Sequence, residues 1–287
     1  MIKKFPIDNR QGSERLDDAI ARLRTDLSKS EARRIIDRGG CAVNGTMVRV
    51  ASRQVKAGDL IELGIMEAGR FQELLLPTAA LLYEDNNLIA VNKPAGINSQ
   101  RTPYQLKGTL EFWVGDYFRI HGIAEPARIV HRLDRGTSGV MLFPKHKRSA
   151  AWLSSLFHDG LIDKRYLALV SGRPAHDSWT VEGAIGKIAP ARYGVVAGGK
   201  PAVTEFSCLS FGERSLVEAR PLTGRTHQIR VHLQSCGLSI IGDTTYGTVK
   251  AERMMLHCSA MTFRDESGKE IRVSAPLDGV FEMMATS

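Results

Sequence analysis

The segment His131-Arg132-Leu133-Asp134-Arg135-Gly136-Thr137-Ser138-Gly139 groups charged and small polar residues between two short apolar runs, Ile129–Val130 and Gly139–Phe143. The runs predict two strands, and the polar residues between them predict a turn. One carboxylate lies close to two arginines in this turn. By composition alone, Asp134 is either a reactive carboxylate or a turn residue paired with an arginine.

Similar patterns continue along the chain. Further apolar runs of strand length occur at Leu81–Val91, Tyr166–Val170, Ser215–Ala219 and Ile271–Val273. Helical patterns occur at Ser149–Leu156 and His227–Ser235. Because strands and helices do not alternate with a regular period, we predict an α+β fold, with a mixed or antiparallel sheet and flanking helices.

The first part of the chain predicts a small separate α+β domain. Apolar residues at helical spacing begin at Leu16, and Ser13 is the expected N-cap. Ser28 and Glu31 have the spacing of a capping box before a second helix. Asn44-Gly45 is a strong hairpin signal. The predicted divisions are a domain over 1–63, a linker over 64–80 that contains Gly64, Gly69 and Pro77 and lacks periodicity, and a large domain over 81–287.

Composition and charge exclude several classes of protein. The chain has 287 residues, of which 43% are hydrophobic and 24% charged, which is typical of globular proteins. No apolar stretch reaches the roughly 20 residues of a membrane span, and the N-terminus does not resemble a secretory signal. Its four cysteines form no C-x-x-C pair, which favours a reducing cytoplasm. The net charge of +8 favours a polyanionic partner, although many basic enzymes have none.

Common catalytic and cofactor signatures are absent from the sequence. We find no phosphate-binding loop, no dinucleotide fingerprint, no H-E-x-x-H and no G-x-S-x-G. His227 and His232 are five residues apart, a poor spacing for one metal on a helix, so a structural role is expected for both. We therefore predict neither a metal nor a small-molecule cofactor.

The Asp134 segment, together with four others, resembles the signature of pseudouridine synthases of the RluA type. The further segments follow in the order of that family: Lys93–Gly96, Lys164–Val170, Leu222–Leu233 and Gly242–Gly247. The sequence departs from the family at Ile97–Gln100, where the family more often has His-Pro, and at Leu256–Cys258, where a small residue such as alanine is usual. Residues 1–63 are similar to a small RNA-binding module first known from a small-subunit ribosomal protein.

This resemblance implies an enzyme that converts uridine in RNA to pseudouridine without a cofactor. It implies that Asp134 is the essential carboxylate and that Arg225 is its guanidinium partner. It also implies that Tyr166 stacks on the target base, with its phenol placed to help the proton leave carbon after the base has rejoined the sugar. It also implies that Arg132 fills the place left by the flipped base. In the first domain, the resemblance implies that Arg33, Arg34 and Arg38 contact RNA phosphates, whereas charge alone fits a solvated face equally well.

Other functions stay open at the level of sequence. One alternative is a non-catalytic RNA-binding or ribosome-assembly factor. Another is a hydrolase acting on a glycosidic bond, although such enzymes normally use a second carboxylate. Large-subunit ribosomal RNA is expected as the substrate in preference to transfer RNA, and the protein is expected to be a cytoplasmic monomer.

Overall fold

A computed structural model describes residues 2–7, 12–37, 40–64, 80–102 and 108–286. The chain divides into two compact units. The first comprises Met1–Leu75 with Gln100–Trp113, and the second comprises Leu76–Ser99 with Val114–Ser287. Residues 100–113 thus group with the N-terminal unit, whereas the sequence prediction assigned them to the large domain over 81–287.

The first unit is a small α+β domain. Its elements are β1 (Ile2–Pro6), β2 (Glu14–Arg15), α1 (Leu16–Leu23), α2 (Lys29–Asp37), β3 (Cys41–Val43), β4 (Thr46–Val48), β5 (Gln54–Val55) and β6 (Leu60–Gly64). Four strands form an antiparallel sheet in the order β1-β6-β3-β4. Apolar side chains of both helices pack against the sheet in one buried core. Burial of these faces stabilises helices that would be too short to persist alone.

Local signals predicted most of this unit. Ser28 and Glu31 form the expected capping box, with Glu31 N–H donating to Ser28 Oγ at 3.2 Å and Ser28 N–H donating to Glu31 Oε2 at 3.0 Å. Asn44 and Gly45 both have positive φ, at 53° and 75°, as the tight turn between β3 and β4 requires. Ser13 does not cap α1. The chain forms β2 before the helix, and Ser13 Oγ instead donates to Gln54 Oε1.

The second unit is built on one large sheet. Its strands are β7 (Leu81–Glu84), β8 (Leu88–Lys93), β9 (Ser138–Pro144), β10 (Asp163–Ser171), β11 (Ser178–Glu182), β14 (Val203–Ser210), β15 (Arg214–Pro221), β16 (Ser239–Ile240), β17 (Leu256–Arg264) and β18 (Glu270–Ser274). The main order is β11-β14-β15-β10-β17-β9-β8-β7. Strands β9 and β17 pair in parallel, whereas the other neighbouring strands described in this order pair antiparallel. The sheet is therefore mixed, as predicted.

The remaining elements occur between or after these strands along the chain. They are α3 (Leu110–Ile120), α4 (Lys147–His158), the hairpin β12 (Ile185–Ala189) and β13 (Arg192–Val195), α5 (Gln228–Ser235) and α6 (Gly279–Thr286). Within the described ranges, no helix has the length and hydropathy needed to cross a membrane.

Two predicted strands differ from the structure. Leu81–Val91 is a hairpin of β7 and β8, because Asp85 Oδ1 accepts hydrogen bonds from the N–H groups of Asn87 and Leu88 and turns the chain. Ile129–Val130 is not a strand. The chain that follows it is anchored through side chains instead: His131 Nε2 accepts from Leu142 N–H at 2.9 Å.

The start of β9 positions the Asp134 segment. Every residue of β9 is buried, and Gly139, at its beginning, has φ of 111°. A Cβ at this position would overlap the backbone of Cys258 in β17, so only glycine permits this close approach. The loop before β9 consequently lies beside the strands that carry Tyr166 and Cys258.

Candidate active site

The loop that carries Asp134 is held on both sides by hydrogen bonds. Ser99 Oγ donates to Leu133 O at 2.6 Å and accepts from Leu133 N–H at 3.1 Å. Gly96 N–H donates to Arg135 O at 2.7 Å. The backbone before and after Asp134 is thus tied to the 96–99 turn, which limits the positions that its carboxylate can take.

Lys93 connects the 96–99 turn and the Asp134 loop through buried hydrogen bonds. Its side chain is fully buried, and its ammonium donates to the carbonyl oxygens of Ile97 at 2.8 Å, Pro94 at 3.0 Å and Arg135 at 3.3 Å. Burial lowers the pKa of Lys93 to about 7. The lysine of the Lys93–Gly96 segment therefore supports the Asp134 loop from inside the domain.

Arg230 is the guanidinium that contacts Asp134. Its NH1 donates to Asp134 Oδ2 at 2.8 Å. The other side of the same guanidinium makes a bidentate pair with Asp243, with distances of 2.7 Å from Nε to Oδ2 and 2.9 Å from NH2 to Oδ1. Burial would lower the pKa of Arg230, but the two carboxylates outweigh it and raise that pKa. Arg230 therefore keeps its charge and holds Asp134 in one orientation.

The prediction that Arg225 forms this pair is wrong in its geometry. Arg225 is exposed, and its Nε donates to Pro201 O at 2.9 Å. The chain at Arg225 is still in the turn before α5, where its backbone N–H donates to Gln228 Oε1 at 2.9 Å. Arg230 lies within α5 and is buried, so the helix directs it toward Asp134. Both arginines belong to one sequence segment, and only the position of the helix start distinguishes them.

Backbone groups of the Gly242–Gly247 segment fix the carboxylate of Asp243, which in turn holds Arg230. Asp243 Oδ1 accepts from the N–H groups of Thr245 at 2.9 Å and Tyr246 at 3.1 Å. Burial would raise the pKa of Asp243, but Arg230 and these backbone donors lower it. The Arg230 guanidinium also lies 4.9 Å from the centre of the Tyr246 ring, a favourable cation–π arrangement.

A cavity of about 470 Å³ opens over Asp134. Its wall includes all four residues predicted for the chemistry and for base replacement: Asp134, Tyr166, Arg225 and Arg132. Lys164, His227 and Arg230 also line it. The volume is in the range of small-ligand sites, and among the described residues of the wall, cationic side chains outnumber carboxylates. This cavity therefore suits a nucleotide with its phosphates.

Comparison with known proteins identifies the family. A model of the RNA pseudouridylate synthase family matches residues 87–235, slightly more than half of the chain. The chain belongs to the RNA pseudouridylate synthase family. A model of the S4 domain matches residues 14–61, so the N-terminal unit contains this RNA-binding module, as predicted.

Individual relatives of the synthase cover nearly the whole chain. RNA pseudouridine synthase YlyB of Bacillus subtilis is 33% identical over 93% of this chain and 91% of its own. Ribosomal large subunit pseudouridine synthase C of Vibrio parahaemolyticus is 30% identical over 98% of this chain and 95% of its own. Among solved structures, human RNA pseudouridylate synthase domain containing 1 has a TM-score of 0.60 and 26% identity, covering 71% of this chain and 86% of the human one. The protein is thus an RNA pseudouridine synthase.

Tyr166 of the synthase lies on β10 at the cavity wall. Burial raises the pKa of its phenol well above the ordinary value of 10.0, so the hydroxyl keeps its proton at neutral pH. Its cross-strand neighbour on β17 is Cys258, one of the positions where the sequence departs from the family. Burial also raises the pKa of the Cys258 thiol to about 12, so the thiol keeps its proton at neutral pH as well.

Arg132 lies at the exposed side of the cavity. Its NH2 donates to Thr226 Oγ1 at 3.3 Å, which joins the Asp134 loop to the turn before α5. A guanidinium at this position is accessible to RNA and close to the carboxylate, as base replacement would require.

The predicted RNA contacts of the S4 domain have different surroundings. Arg33 and Arg34 are both exposed on α2. Arg33 Nε also donates to the buried carboxylate of Asp17 at 2.6 Å, which gives Arg33 a structural role as well. Arg38 lies outside the described residues.

Three residues that contact Asp134 or its partner were not singled out by sequence reasoning: Arg230, Asp243 and His227. Their signal was present, since Arg230 and Asp243 belong to segments that resemble the family. His227 belongs to such a segment too, but it was considered as a metal ligand and expected to have a structural role. Within the described part of the chain, no group of three or more histidine, cysteine or acidic side chains could hold a metal ion.

Proposed function

We propose that this synthase modifies specific uridines of large-subunit ribosomal RNA, with Asp134 as the reactive carboxylate. The observation that carries this proposal is the placement of Asp134 in a basic cavity, where Arg230 holds it at 2.8 Å. A carboxylate supported in this way has a defined direction of attack.

The reaction breaks the bond between N1 of uracil and C1′ of ribose, turns the base and joins C5 to C1′. N1 then gains a proton and C5 loses one, so atoms balance without an oxidant or reductant. Asp134 acts on the sugar or the base as a nucleophile, or takes a proton. No step of this isomerisation requires a cofactor.

The cavity accepts a uridine that has left its stack. Unstacking costs a few kcal/mol, and Arg132 offsets part of this cost when its planar guanidinium takes the vacated place. Tyr166 stacks on the uracil inside the cavity. Because its phenol stays protonated, stacking suits Tyr166 better than the role of a strong base.

The choice of ribosomal RNA rests on two features. The V. parahaemolyticus relative, which aligns with 98% of this chain, is named for the large ribosomal subunit. The S4 domain adds a second basic surface, with Arg34 exposed on α2. A large folded RNA can engage two surfaces at once, which raises affinity beyond that of either one. Transfer RNA is the second candidate.

Pseudouridine mapping in cells tests the proposal. Ribosomal and transfer RNA are compared in cells with the synthase, without it, and with the Asp134→Asn variant. We expect one or more large-subunit positions to lose pseudouridine in both deficient strains. Loss confined to transfer RNA would contradict the ribosomal target, and unchanged sites with Asp134→Asn would contradict the role of Asp134. The monomeric state is tested by sedimentation of the purified protein.

A further inference from the structure

His227 lies against the reactive carboxylate in an unusual backbone conformation. It directly precedes α5 with φ of 57° and ψ of 19°, the left-handed region that few residues other than glycine adopt. Its side chain is only 17% exposed, and Nε2 lies 3.7 Å from Asp134 Oδ2. Such strain concentrates at functional sites, where neighbouring contacts maintain it.

The second ring nitrogen of His227 is held by Tyr246. Nδ1 lies 2.8 Å from Tyr246 Oη, and the same oxygen accepts from Tyr193 N–H at 2.9 Å. Tyr246 is buried, so its hydroxyl proton needs an acceptor inside the protein. Nδ1 is that acceptor. Nε2 therefore carries the ring proton and directs it toward Asp134.

Burial is the main factor that favours the neutral form of this imidazole. Burial lowers the pKa of His227, and Arg230 and Arg132 lower it further, while Asp134 and Asp243 act in the opposite direction. Tyr193 and Tyr246 face the ring edge to face, with centres 5.4 and 5.6 Å away. At neutral pH the residue is a donor without charge.

We propose that His227 is a positioning residue for Asp134, donating from Nε2 to the carboxylate when RNA fills the cavity. Arg230 already holds Oδ2 from one direction. Catalytic hydrogen bonds are often long in the free enzyme and shorten in the substrate complex, and 3.7 Å leaves a short movement to make. The Gly242–Gly247 segment would then support Asp134 twice, through Asp243 to Arg230 and through Tyr246 to His227. This proposal rests on the role of Asp134 proposed above.

Two substitutions distinguish positioning from a purely structural role. His227→Gln places an amide nitrogen near the former Nε2, whereas His227→Asn reaches only as far as Nδ1. Asparagine adopts the left-handed region more readily than glutamine. If the position requires only that backbone conformation, His227→Asn is at least as active as His227→Gln. If Asp134 requires the Nε2 donor, His227→Gln is the more active variant.

The assay is single-turnover conversion at saturating enzyme, with RNA affinity measured separately. We expect His227→Gln to stay within about tenfold of the parent. His227→Asn should lose roughly 100-fold, the effect of misplacing a reacting group by about 1 Å, with affinity changed less than threefold. Equal rates for both variants, or a faster His227→Asn, would overturn the proposal.

Two further variants keep the result interpretable. His232→Gln is a matched control on α5, because its nitrogens contact Thr204 Oγ1 and Gly183 O and it does not line the cavity. It should lose stability but keep its rate. If His227→Asn does not fold, Tyr246→Phe removes only the hydroxyl that orients the ring and should slow turnover about tenfold. A parental rate in Tyr246→Phe would refute the proposal. If Asp134→Asn is inactive but both His227 variants are fully active, only the positioning role of His227 is refuted. The proposed function then remains intact.

Discussion

Replacing Asp243 with asparagine should separate the support of the site from its chemistry. Asp243 does not line the cavity, but both of its oxygens bond Arg230, at 2.7 and 2.9 Å. Asparagine keeps the shape and removes the charge and one acceptor. Its amide would face the donors of Arg230, so one of the two bonds must be lost.

The expected loss of stability in Asp243→Asn depends on the contacts that Arg230 keeps. Removing one partner of a buried ion pair costs about 3–5 kcal/mol when the other charge is left uncompensated. Here Asp134 stays 2.8 Å from Arg230, so the loss is closer to one charge-assisted hydrogen bond, about 1.5–3 kcal/mol. We therefore expect the free energy of unfolding to fall by about 1.5–3 kcal/mol in urea denaturation at neutral pH.

The difference in stability between the parent and Asp243→Asn should decrease as the pH falls. The pKa of Asp243 is lowered in the folded protein, and an unfolded aspartate titrates near 3.9. Its stabilising effect is thus complete above about pH 4 and declines as the pH falls from there toward the folded pKa. The stabilities of the parent and Asp243→Asn should converge in that acidic range.

Turnover should fall with stability because Arg230 is no longer held. We expect single-turnover conversion to slow roughly 100-fold, as for a displaced catalytic group, with RNA affinity nearly unchanged. Asp163→Asn is the control: this carboxylate also contacts two arginines, Arg165 and Arg220, but is 30% exposed and does not line the cavity. It should cost about 1 kcal/mol or less and leave turnover intact. A parental rate for Asp243→Asn in folded protein would refute the reasoning.

Three further predictions concern the arginines and the carboxylate. Asp134→Asn should abolish tritium release from labelled uridine while RNA affinity falls far less; activity within tenfold of the parent would contradict its role. Arg230→Lys should lose turnover, because one ammonium cannot bond two carboxylates in this geometry. Arg225→Lys should mainly weaken RNA binding. If Arg225→Lys lost turnover and Arg230→Lys only RNA affinity, Arg225 would be the partner of Asp134 after all. Arg34→Ala should reduce the slope of log affinity against log salt concentration by nearly one. Equal slopes for Arg34→Ala and the parent would mean that Arg34 faces only solvent. Arg33→Ala should instead destabilise the S4 domain in thermal unfolding.

Local interactions were readable from the amino-acid sequence. The capping box at Ser28 and Glu31 and the turn at Asn44-Gly45 depend on neighbours within a few residues, so composition and spacing suffice to predict them. The failures are also physical. Ser13 was a reasonable N-cap, but pairing of Glu14–Arg15 with Gln54–Val55 moved the helix start. A distant strand overrode a local preference.

The sequence by itself determined the α+β class, the family and the segment that carries the carboxylate. Only the tertiary structure decided which arginine holds it. Arg225 and Arg230 are close in the chain, and both are cations, yet Asp134 lies more than ninety residues before either. The parallel pairing of β9 with β17 and the start of α5 at Gln228 place Arg230 inside and Arg225 at the surface. Burial of the guanidinium then requires the second carboxylate of Asp243, because an unpaired charge in that interior would be too costly.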